Sequence, residues 1–210
     1  MKPKIGIIMR PDKLISGNEV MCVYEDLRLS IINSGGIPLG IMPLTDNLNE
    51  FDSNIYSLID VCDGIILQGG DDFYNYDLEI VKYIYDKDMP VLGICLGMQL
   101  MGSMFNGKLE NIARHKYKDK KYVHKIYIDK DSKLYSVLKN EVINVNSRHE
   151  SALTYTDLDI VGLSNNNIIE AIEDKSKKFF IGVQWHPESM YSYDILECNL
   201  FDYFIDVCRK

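Results

Sequence analysis

No stretch of this 210-residue sequence approaches the ~18 consecutive apolar residues that a membrane-spanning helix requires. Basic residues are also in the minority, because 23 Lys and Arg stand against 31 Asp and Glu, and the formal net charge is −8. A general nucleic-acid-binding protein needs a basic surface to neutralise phosphates, and this composition does not supply one. We therefore expect a protein that neither inserts into a membrane nor binds nucleic acid.

Cysteine is infrequent and follows no disulfide or metal-binding pattern. The five cysteines include no Cys-x-x-Cys pair, and none stands at metal-ligand spacing from a histidine. An odd count in a chain of this length argues against a disulfide framework. The apolar run at residues 5–9 is too short for a secretion signal, because Arg10 interrupts it at once. These features predict a cytoplasmic protein with reduced thiols, one of which could serve as a reactive group.

The rest of the composition is that of an ordinary folded protein. Hydrophobic residues make up 46% of the chain and charged residues 26%, which is enough apolar surface to form a core. The sequence contains no repeat, no low-complexity segment and no linker, and at this length one domain is the default. We therefore expect a single domain over residues 1–210.

Short apolar runs alternate with longer amphipathic runs through the first half of the chain. The short runs predict buried strands, at residues 5–9, 38–42, 64–67 and 90–94. The longer runs predict helices, at residues 24–32, 48–59, 78–86 and 96–105. Alternation of this kind predicts a parallel sheet with helices on both faces.

The pattern changes beyond residue 107 to short runs that alternate in polarity. These runs predict antiparallel hairpins attached to the main sheet, at residues 124–128, 142–145, 168–172 and 179–183, with a turn at 165–167. A final helix carries apolar residues four apart on one face, at Leu196, Leu200, Phe204 and Cys208. The predicted fold is therefore α/β, with a mostly parallel central sheet flanked by helices and extended by antiparallel hairpins.

Cys95 stands at the most informative position in the chain, between a predicted strand and a predicted helix. Gly93 and Gly97 flank it two residues away, where they remove side chains that would clash in a tight strand-to-helix turn. The helix N-terminus favours a thiolate, and the backbone N–H of Leu96 points to where an oxyanion would form. A lone cysteine after a strand is more often a buried small hydrophobe. The two glycines favour the interpretation as a nucleophile.

His186 and Glu188 are the candidates for the base that a thiolate nucleophile needs and for the group that orients this base. His186 directly follows a predicted strand, and Pro187 biases it toward extended backbone. Residues two apart in extended backbone point the same way, so Glu188 can reach the imidazole and fix its tautomer. The alternative is a surface turn with an incidental ion pair. Two other histidines, His115 and His124, are interpreted as ordinary polar loop residues rather than catalytic ones.

These segments resemble the class I (triad) glutamine amidotransferase superfamily, and within it the γ-glutamyl-γ-aminobutyrate hydrolase-like branch, the peptidase C26 group. The similarity rests on five segments that occur in the family's order: 34–38, 63–72, Gly-Ile-Cys-Leu-Gly-Met-Gln at 93–99, Asn-Ser-Arg-His-Glu-Ser at 146–151 and His-Pro-Glu at 186–188. The resemblance implies a flavodoxin-like fold and a hydrolase that needs neither a metal nor a cofactor. The loop after residue 72 is shorter than in the family, so the amine half of the substrate is not specified.

The resemblance also implies a role for individual residues. Cys95 would be the nucleophile, His186 the base and then the acid, and Glu188 the group that orients the imidazole. The N–H groups of Gly70 and Leu96 would form the oxyanion hole. The γ-glutamyl group would bind near four further residues: Gly69, Gln99, Ser147 and His149. The implied reaction is attack on a γ-glutamyl amide carbonyl, release of an amine and hydrolysis of a glutamyl thioester.

Three functions are compatible with this set of residues. The first is a free-standing hydrolase of a small-molecule γ-glutamyl amide, and the second is a glutaminase subunit that passes ammonia to a synthetase partner. The third is a catalytically inactive regulatory binder on the same fold, against which the intact set of Cys95, His186 and Glu188 argues. The sequence leaves open whether the chain forms a homodimer.

One short segment has a charge opposite to that of the whole chain. Residues 114–125 carry a net charge of +5, from Arg114, Lys116, Lys118, Lys120, Lys121 and Lys125 against Asp119. The simpler interpretation is a solvated surface loop. The more specific one places the segment at the mouth of the active site, where it would receive an anionic leaving group such as a phosphorylated or nucleotide-bearing amine.

Overall fold

Strands and helices alternate along the first half of the chain, in a computed structural model that describes residues 1–45, 50–112, 115–117 and 119–209. The strands are β1 (Lys4–Ile8), β2 (Arg10–Lys13), β3 (Glu19–Cys22), β4 (Ile37–Ile41), β5 (Gly64–Leu67), β6 (Val91–Ile94), β7 (Lys108–Asn111), β8 (His124–Ile128), β9 (Val142–Val145), β10 (Ser151–Tyr155), β11 (Asp159–Ser164), β12 (Ile169–Glu173) and β13 (Phe180–Val183). The helices are α1 (Glu25–Asn33), α2 (Ile55–Ile59), α3 (Asn75–Asp86), α4 (Leu96–Met104), α5 (Lys133–Leu138) and α6 (Ile195–Val207).

Nine of these strands form one mixed sheet, in the order β4-β1-β5-β6-β13-β12-β11-β8-β9. The first five strands in this order run parallel to one another. The other four continue the sheet with antiparallel pairings. Two separate two-stranded antiparallel sheets, the hairpin β2–β3 and the pair β7–β10, lie outside this sheet. The prediction of a mostly parallel central sheet with added antiparallel strands is confirmed.

Helices cover both faces of the parallel half, which explains why its central strands are apolar throughout. The four residues of β5 are all buried, and they alternate between two hydrophobic layers, with Ile66 in one and Ile65 in the other. Helices α1, α5 and α6 contribute to the first layer, and α2, α3 and α4 to the second. Among the helices described, none has the length and apolarity to cross a bilayer.

One sequence prediction differs from the structure, and a second is incomplete. The helix expected at 48–59 is shorter, because residues 50–54 are not helical and α2 begins at Ile55; residues 48 and 49 lie outside the described part of the chain. The carboxylate of Asp52 accepts a hydrogen bond from the backbone N–H of Asn54 (2.8 Å), a local turn that competes with helix formation. Residues 179–183 were expected in an antiparallel hairpin, and β13 does pair antiparallel with β12; its other edge also pairs in parallel with β6, which was not predicted.

The parallel pairing of β13 with β6 determines where a functional site can form. Parallel strands end at the same edge of a sheet, and ligands in open α/β sheets bind outside that carboxyl edge. The segments that leave this edge are 68–72 after β5, 95–99 after β6 and 184–188 after β13. The sheet therefore brings three of the sequence motifs to one place.

The close packing of α4 on β5 provides a test of this arrangement. A Cβ atom on Gly97 would overlap the carbonyl oxygen of Leu67 and lie 2.7 Å from its carbonyl carbon. We expect Gly97→Ala to lower the free energy of unfolding by about 1–3 kcal/mol or more, because backbone atoms cannot yield as a side chain can. Urea denaturation measures this loss, with Ser103→Ala on the same helix as the control. An unfolding free energy equal to that of the control would contradict the packing described.

Candidate active site

Cys95 occupies a sharp turn between β6 and α4 in a backbone conformation that few side chains adopt. Its φ is +52° and its ψ is −103°. A Cβ atom on Gly93 would lie 2.8 Å from the carbonyl carbon of Gly97, so the turn closes only without a side chain there. The N–H of Cys95 donates to the carbonyl oxygen of Val183 (2.8 Å), which ties the turn to β13. A left-handed conformation costs roughly 1–3 kcal/mol at a non-glycine residue, and such strain is concentrated at functional positions.

His186 and Glu188 extend from the end of β13 toward this cysteine. Nδ1 of His186 lies 2.7 Å from Oε1 of Glu188, and the ring also hydrogen-bonds with the Cys95 sulfur. Burial opposes a charged imidazole, but the negative charges of Glu188 and of a Cys95 thiolate outweigh it and raise the pKa of His186. The structure thus brings the three predicted catalytic residues together, in the order nucleophile, base and orienting acid.

Asn146 holds the backbone of His186, a role that the sequence did not reveal. Its side-chain oxygen accepts the N–H of His186 (2.9 Å), and its side-chain nitrogen donates to the carbonyl oxygen of His186 (2.8 Å). The amide is almost fully buried and also donates to the hydroxyl of Ser189 (3.2 Å). Because both backbone groups of His186 are held by one rigid side chain, the imidazole starts from a fixed position.

Gln184 is a second residue whose role the sequence pattern did not reveal. Its Nε2 donates to the sulfur of Cys95 over 3.5 Å, and its Oε1 accepts from Nε2 of Gln99 (3.1 Å). The residue stands directly after β13, two positions before His186, and the chain bends at residues 184 and 185. A fully buried amide donor therefore lies against the sulfur of Cys95.

The glycines after β5 bring backbone close to the nucleophile. A Cβ atom on Gly69 would lie 3.0 Å from Cε1 of His186, and one on Gly70 would lie 2.9 Å from Cδ2 of Leu96. The two predicted oxyanion-hole residues, Gly70 and Leu96, are therefore neighbours beside Cys95. Their backbone N–H groups as oxyanion donors stay a prediction.

A buried ion pair supports the segment that contains Gly70. Nη1 of Arg10, from β2, lies 2.5 Å from Oδ1 of Asp77, and both side chains are almost fully buried. Arg10 also donates to the carbonyl oxygen of Asp72. Burial raises the pKa of Asp77, and the Arg10 charge offsets part of this effect. Hairpin β2–β3 thereby fixes the course of residues 70–77.

The three candidate catalytic residues open into a cavity of about 410 Å³. Its wall consists of Tyr24, Asp26, Gly70, Asp71, Cys95, Lys116, Arg148, His186 and Glu188. Besides Glu188, the wall thus offers two carboxylates and two cations. A cavity of this size and mixed charge suits a small polar molecule that carries both ammonium and carboxylate groups.

Three residues predicted to contact substrate lie outside the wall of this cavity. Gln99 donates to the carbonyl oxygen of Ser151 (2.9 Å) and reaches Cys95 only through Gln184. Ser147 is fully buried, and its hydroxyl donates to the carbonyl oxygen of His115. Gly69 lies against the imidazole of His186, as described above. Contacts of these residues with substrate stay predictions.

His149, the fourth residue predicted to contact substrate, also lies outside the cavity wall. It belongs to a buried cluster with His115, His124 and Glu170. All three imidazoles direct Nε2 toward Oε1 of Glu170, at 3.3 Å from His115, 3.0 Å from His124 and 3.9 Å from His149. The interpretation of His115 and His124 as ordinary polar loop residues is wrong, since both pack inside against this carboxylate. Burial lowers the pKa of His149 to about 4, although Glu170 acts in the opposite direction. The donor types in this cluster are those of a transition-metal site.

The basic segment contributes to the cavity through a single described residue, Lys116. Its backbone neighbour Tyr117 donates an N–H to the carbonyl oxygen of Ser147 (2.9 Å), which fixes the segment beside Arg148. Lys120 and Lys121 lie instead over aromatic rings, at 4.5 Å from the ring centres of Tyr117 and Tyr193. Arg114 and Lys118 lie outside the described residues.

The sequence of this chain is similar to those of known proteins. The model of the peptidase C26 family matches residues 74–188. A Rickettsia prowazekii protein, provisionally named as glutamine amidotransferase-like, is 29% identical over 76% of this chain and 79% of its own length. One subunit of the glutamine-hydrolyzing GMP synthase of Archaeoglobus fulgidus is 32% identical over 70% of this chain and 77% of its own.

A solved structure shows the same fold at lower sequence identity. A Thermoplasma acidophilum protein, provisionally described as a GMP synthase subunit, superposes with a TM-score of 0.74 at 20% identity. The superposition covers 99% of this chain and 94% of that one. Since the family model also spans more than half of the sequence, the chain belongs to the peptidase C26 family of the class I glutamine amidotransferase superfamily.

Proposed function

We propose that this protein hydrolyses the γ-glutamyl amide bond of glutamine or of a γ-glutamyl amine, and releases glutamate and an amine. Its family supports cysteine-dependent amide hydrolysis in general. The more specific proposal of γ-glutamyl amide hydrolysis rests on one observation: Cys95, His186 and Glu188 are hydrogen-bonded in series on the wall of one cavity. The steps below use these side chains, backbone N–H groups and water.

In the first half of the reaction, His186 takes the thiol proton of Cys95, and Glu188 stabilises the imidazolium that results. The thiolate attacks the γ-carbonyl carbon, and a carbon–sulfur bond forms. The oxyanion of the tetrahedral intermediate accepts hydrogen bonds from the N–H groups of Gly70 and Leu96. His186 then protonates the departing nitrogen, the carbon–nitrogen bond breaks, and a glutamyl thioester on Cys95 remains.

In the second half, water enters where the amine has left. His186 removes a proton from this water as it attacks the thioester carbonyl, and the same N–H groups stabilise the second tetrahedral intermediate. The carbon–sulfur bond breaks, glutamate departs, and the proton returns to Cys95. Every proton taken by His186 is returned in the same cycle, so the enzyme ends as it began.

The two cations of the cavity bear on the identity of the amine half. Arg148 and Lys116 line the wall, and Nε of Arg148 is buried with no hydrogen-bond partner among the described residues. Lys116 lies 3.3 Å from the carboxylate of Glu150, which is mostly exposed. A guanidinium binds carboxylate and phosphate in a bidentate manner. We therefore propose that the leaving amine carries an anionic group, for example a phosphorylated or nucleotide-bearing one.

A second candidate function is that of a glutaminase subunit that delivers ammonia to a synthetase partner. Relatives named as GMP synthase subunits support it, because the alignment covers most of their length. Stimulation of glutamine hydrolysis by a co-purifying partner would favour this function over the free-standing hydrolase. Whether two copies of the chain associate is a separate question that sedimentation analysis answers. All five cysteines are free thiols, and with either function we propose a cytoplasmic location.

Removal of the nucleophile provides the direct test of the proposed reaction. We expect Cys95→Ala to lower kcat for glutamate release by at least about 10⁴-fold, because no thioester can form. An electrophilic glutamine analogue should add one adduct to the wild-type protein and none to Cys95→Ala, as measured by intact mass spectrometry. Cys198→Ala, which removes a thiol on α6 away from the cavity, should keep both the adduct and the activity. Glutamate release that survives in Cys95→Ala would refute the mechanism.

Substitution of the cavity cations tests the nature of the amine. We expect Arg148→Ala to raise KM for an anionic γ-glutamyl amide by about tenfold or more, since a charge-assisted hydrogen bond contributes roughly 1.5–3 kcal/mol. Lys116→Ala should act in the same direction, whereas KM for a neutral γ-glutamyl amide should change little. Lys120→Ala, which removes an equal charge outside the cavity wall, is the matched control. Equal increases of KM for the anionic and neutral amides would count against the proposal.

A further inference from the structure

The cluster of His115, His124, His149 and Glu170 has an arrangement of donors that hydrogen bonding alone leaves incomplete. Three imidazole Nε2 atoms converge on one carboxylate oxygen, at 3.0, 3.3 and 3.9 Å. Nε2 of His149 and Oε2 of Glu170 are buried with no hydrogen-bond partner among the described residues. Unpaired buried polar atoms each cost roughly 1–3 kcal/mol, so their concentration at one point calls for an additional group.

The hydrogen bonding of His149 makes this requirement stronger. Its Nδ1 lies 3.0 Å from the carbonyl oxygen of Ser151. A carbonyl oxygen can only accept, so Nδ1 carries the proton and Nε2 of the neutral ring presents a lone pair. This lone pair faces Oε1 of Glu170, which is also an acceptor. Two acceptors that face each other in a buried site are stabilised by a cation between them.

We propose that His115, His124, His149 and Glu170 bind a divalent transition-metal ion of the zinc type. Zinc binds histidine nitrogen and carboxylate oxygen at about 2.0–2.2 Å, which places tetrahedral ligand atoms roughly 3.3–3.5 Å apart. The separations from Oε1 to His124 and His115, 3.0 and 3.3 Å, lie close to this value, and the ligand atoms of His115, His124 and Glu170 all lie within 4.8 Å of one another. His149, whose Nε2 is 3.9 Å from Oε1, has to move toward these three to become the fourth ligand. Imidazole-rich donor sets select zinc and its neighbours rather than magnesium or calcium.

The environment of the cluster fits a metal site that fixes structure. Four protein ligands leave no coordination position for a substrate, which is the property of structural zinc sites. The hydrogen bond from Nδ1 of His149 to a backbone carbonyl is the contact that commonly orients a metal-binding histidine. The four side chains come from β8, β12 and the two segments 115–117 and 146–149. One ion would therefore join both segments to the central sheet.

This junction lies directly beside the active-site cavity. His115 precedes Lys116 and His149 follows Arg148, so two ligands are chain neighbours of the two cavity cations. The carbonyl oxygen of Ser151 accepts from both His149 and Gln99, and Gln99 connects through Gln184 to the Cys95 sulfur. The metal would thus set the position of the wall that faces the amine half of a substrate, without taking part in proton transfer.

Metal content measured in a Cys95→Ala background tests the proposal, because this variant removes the thiol that would otherwise attract zinc to the catalytic site. After incubation with Zn²⁺ and dialysis, we expect elemental analysis to find one equivalent of zinc in Cys95→Ala. The double variant Cys95→Ala/His186→Asn should retain the same equivalent, since it changes only the catalytic pair. Cys95→Ala/His124→Asn and Cys95→Ala/Glu170→Gln should lose it, with circular dichroism used to verify their fold.

Cobalt provides a readout that needs no change in the cluster. Co²⁺ bound to Cys95→Ala should give the visible absorption bands of tetrahedral coordination by nitrogen and oxygen. Zinc retained equally after His124→Asn, or lost with His186→Asn, would overturn the proposal. The absence of both retained zinc and tetrahedral cobalt bands in Cys95→Ala would show that the four side chains share protons only. None of these results depends on the reaction proposed for Cys95.

Discussion

The left-handed turn at Cys95 is the constraint on which the arrangement of the site depends. It holds a thiol at the end of β6 while the N–H of Cys95 is bound to β13, so the thiol cannot relax into the sheet or away from it. The turn persists because α4 packs against β5 with no side chain at Gly97 to separate them. Core packing thus supports a conformation that is unfavourable by itself.

The position of His186 depends on the register between β13 and β6. Val183 of β13 pairs with Ile94 of β6, so the residues that leave both strands do so side by side. His186 is three residues beyond this pair, and the Asn146 side chain binds both its backbone N–H and its carbonyl oxygen. The imidazole is therefore located by two strands and one amide, each independent of any substrate. Preorganisation of this kind is what a proton-transferring group requires.

Local signals in the sequence were sufficient to predict the fold class and the proximity of Cys95, His186 and Glu188. Cys95 with its flanking glycines, and His186 with Glu188 two positions later, are features of a few consecutive residues, and local geometry limits what such residues can do. The parallel pairing of β13 was missed because a fully buried strand has no alternation to reveal its partners. Helix α2 is shorter than predicted because the Asp52 side chain forms a local turn, and the spacing of apolar residues gives no sign of such a turn.

Residues that act through long-range contacts could not be found in the same way. Asn146 is forty positions from the backbone it holds, and the ligands of the buried cluster are spread from His115 to Glu170 with no motif spacing. Arg148 belongs to the segment 146–151, but the resemblance of that segment rests on other residues, so no role was predicted for Arg148. Such residues become apparent when the sheet brings β8, β12 and the intervening segments together, because their roles depend on contacts between distant parts of the chain.

The order of the strands has a consequence for how this protein can change. β13 is parallel to β6 on one side and antiparallel to β12 on the other, so it is the seam between two halves of the sheet. Cys95 and the glycine segment belong to the parallel half, whereas Lys116 lies between β7 and β8 and Arg148 between β9 and β10, on segments that connect the antiparallel half with the separate β7–β10 sheet. In the proposed reaction, bond cleavage and the choice of leaving group would thus depend on separate parts of the fold. Insertions or substitutions in the connecting segments would then redirect the protein to another amine, while the geometry around Cys95 is inherited unchanged.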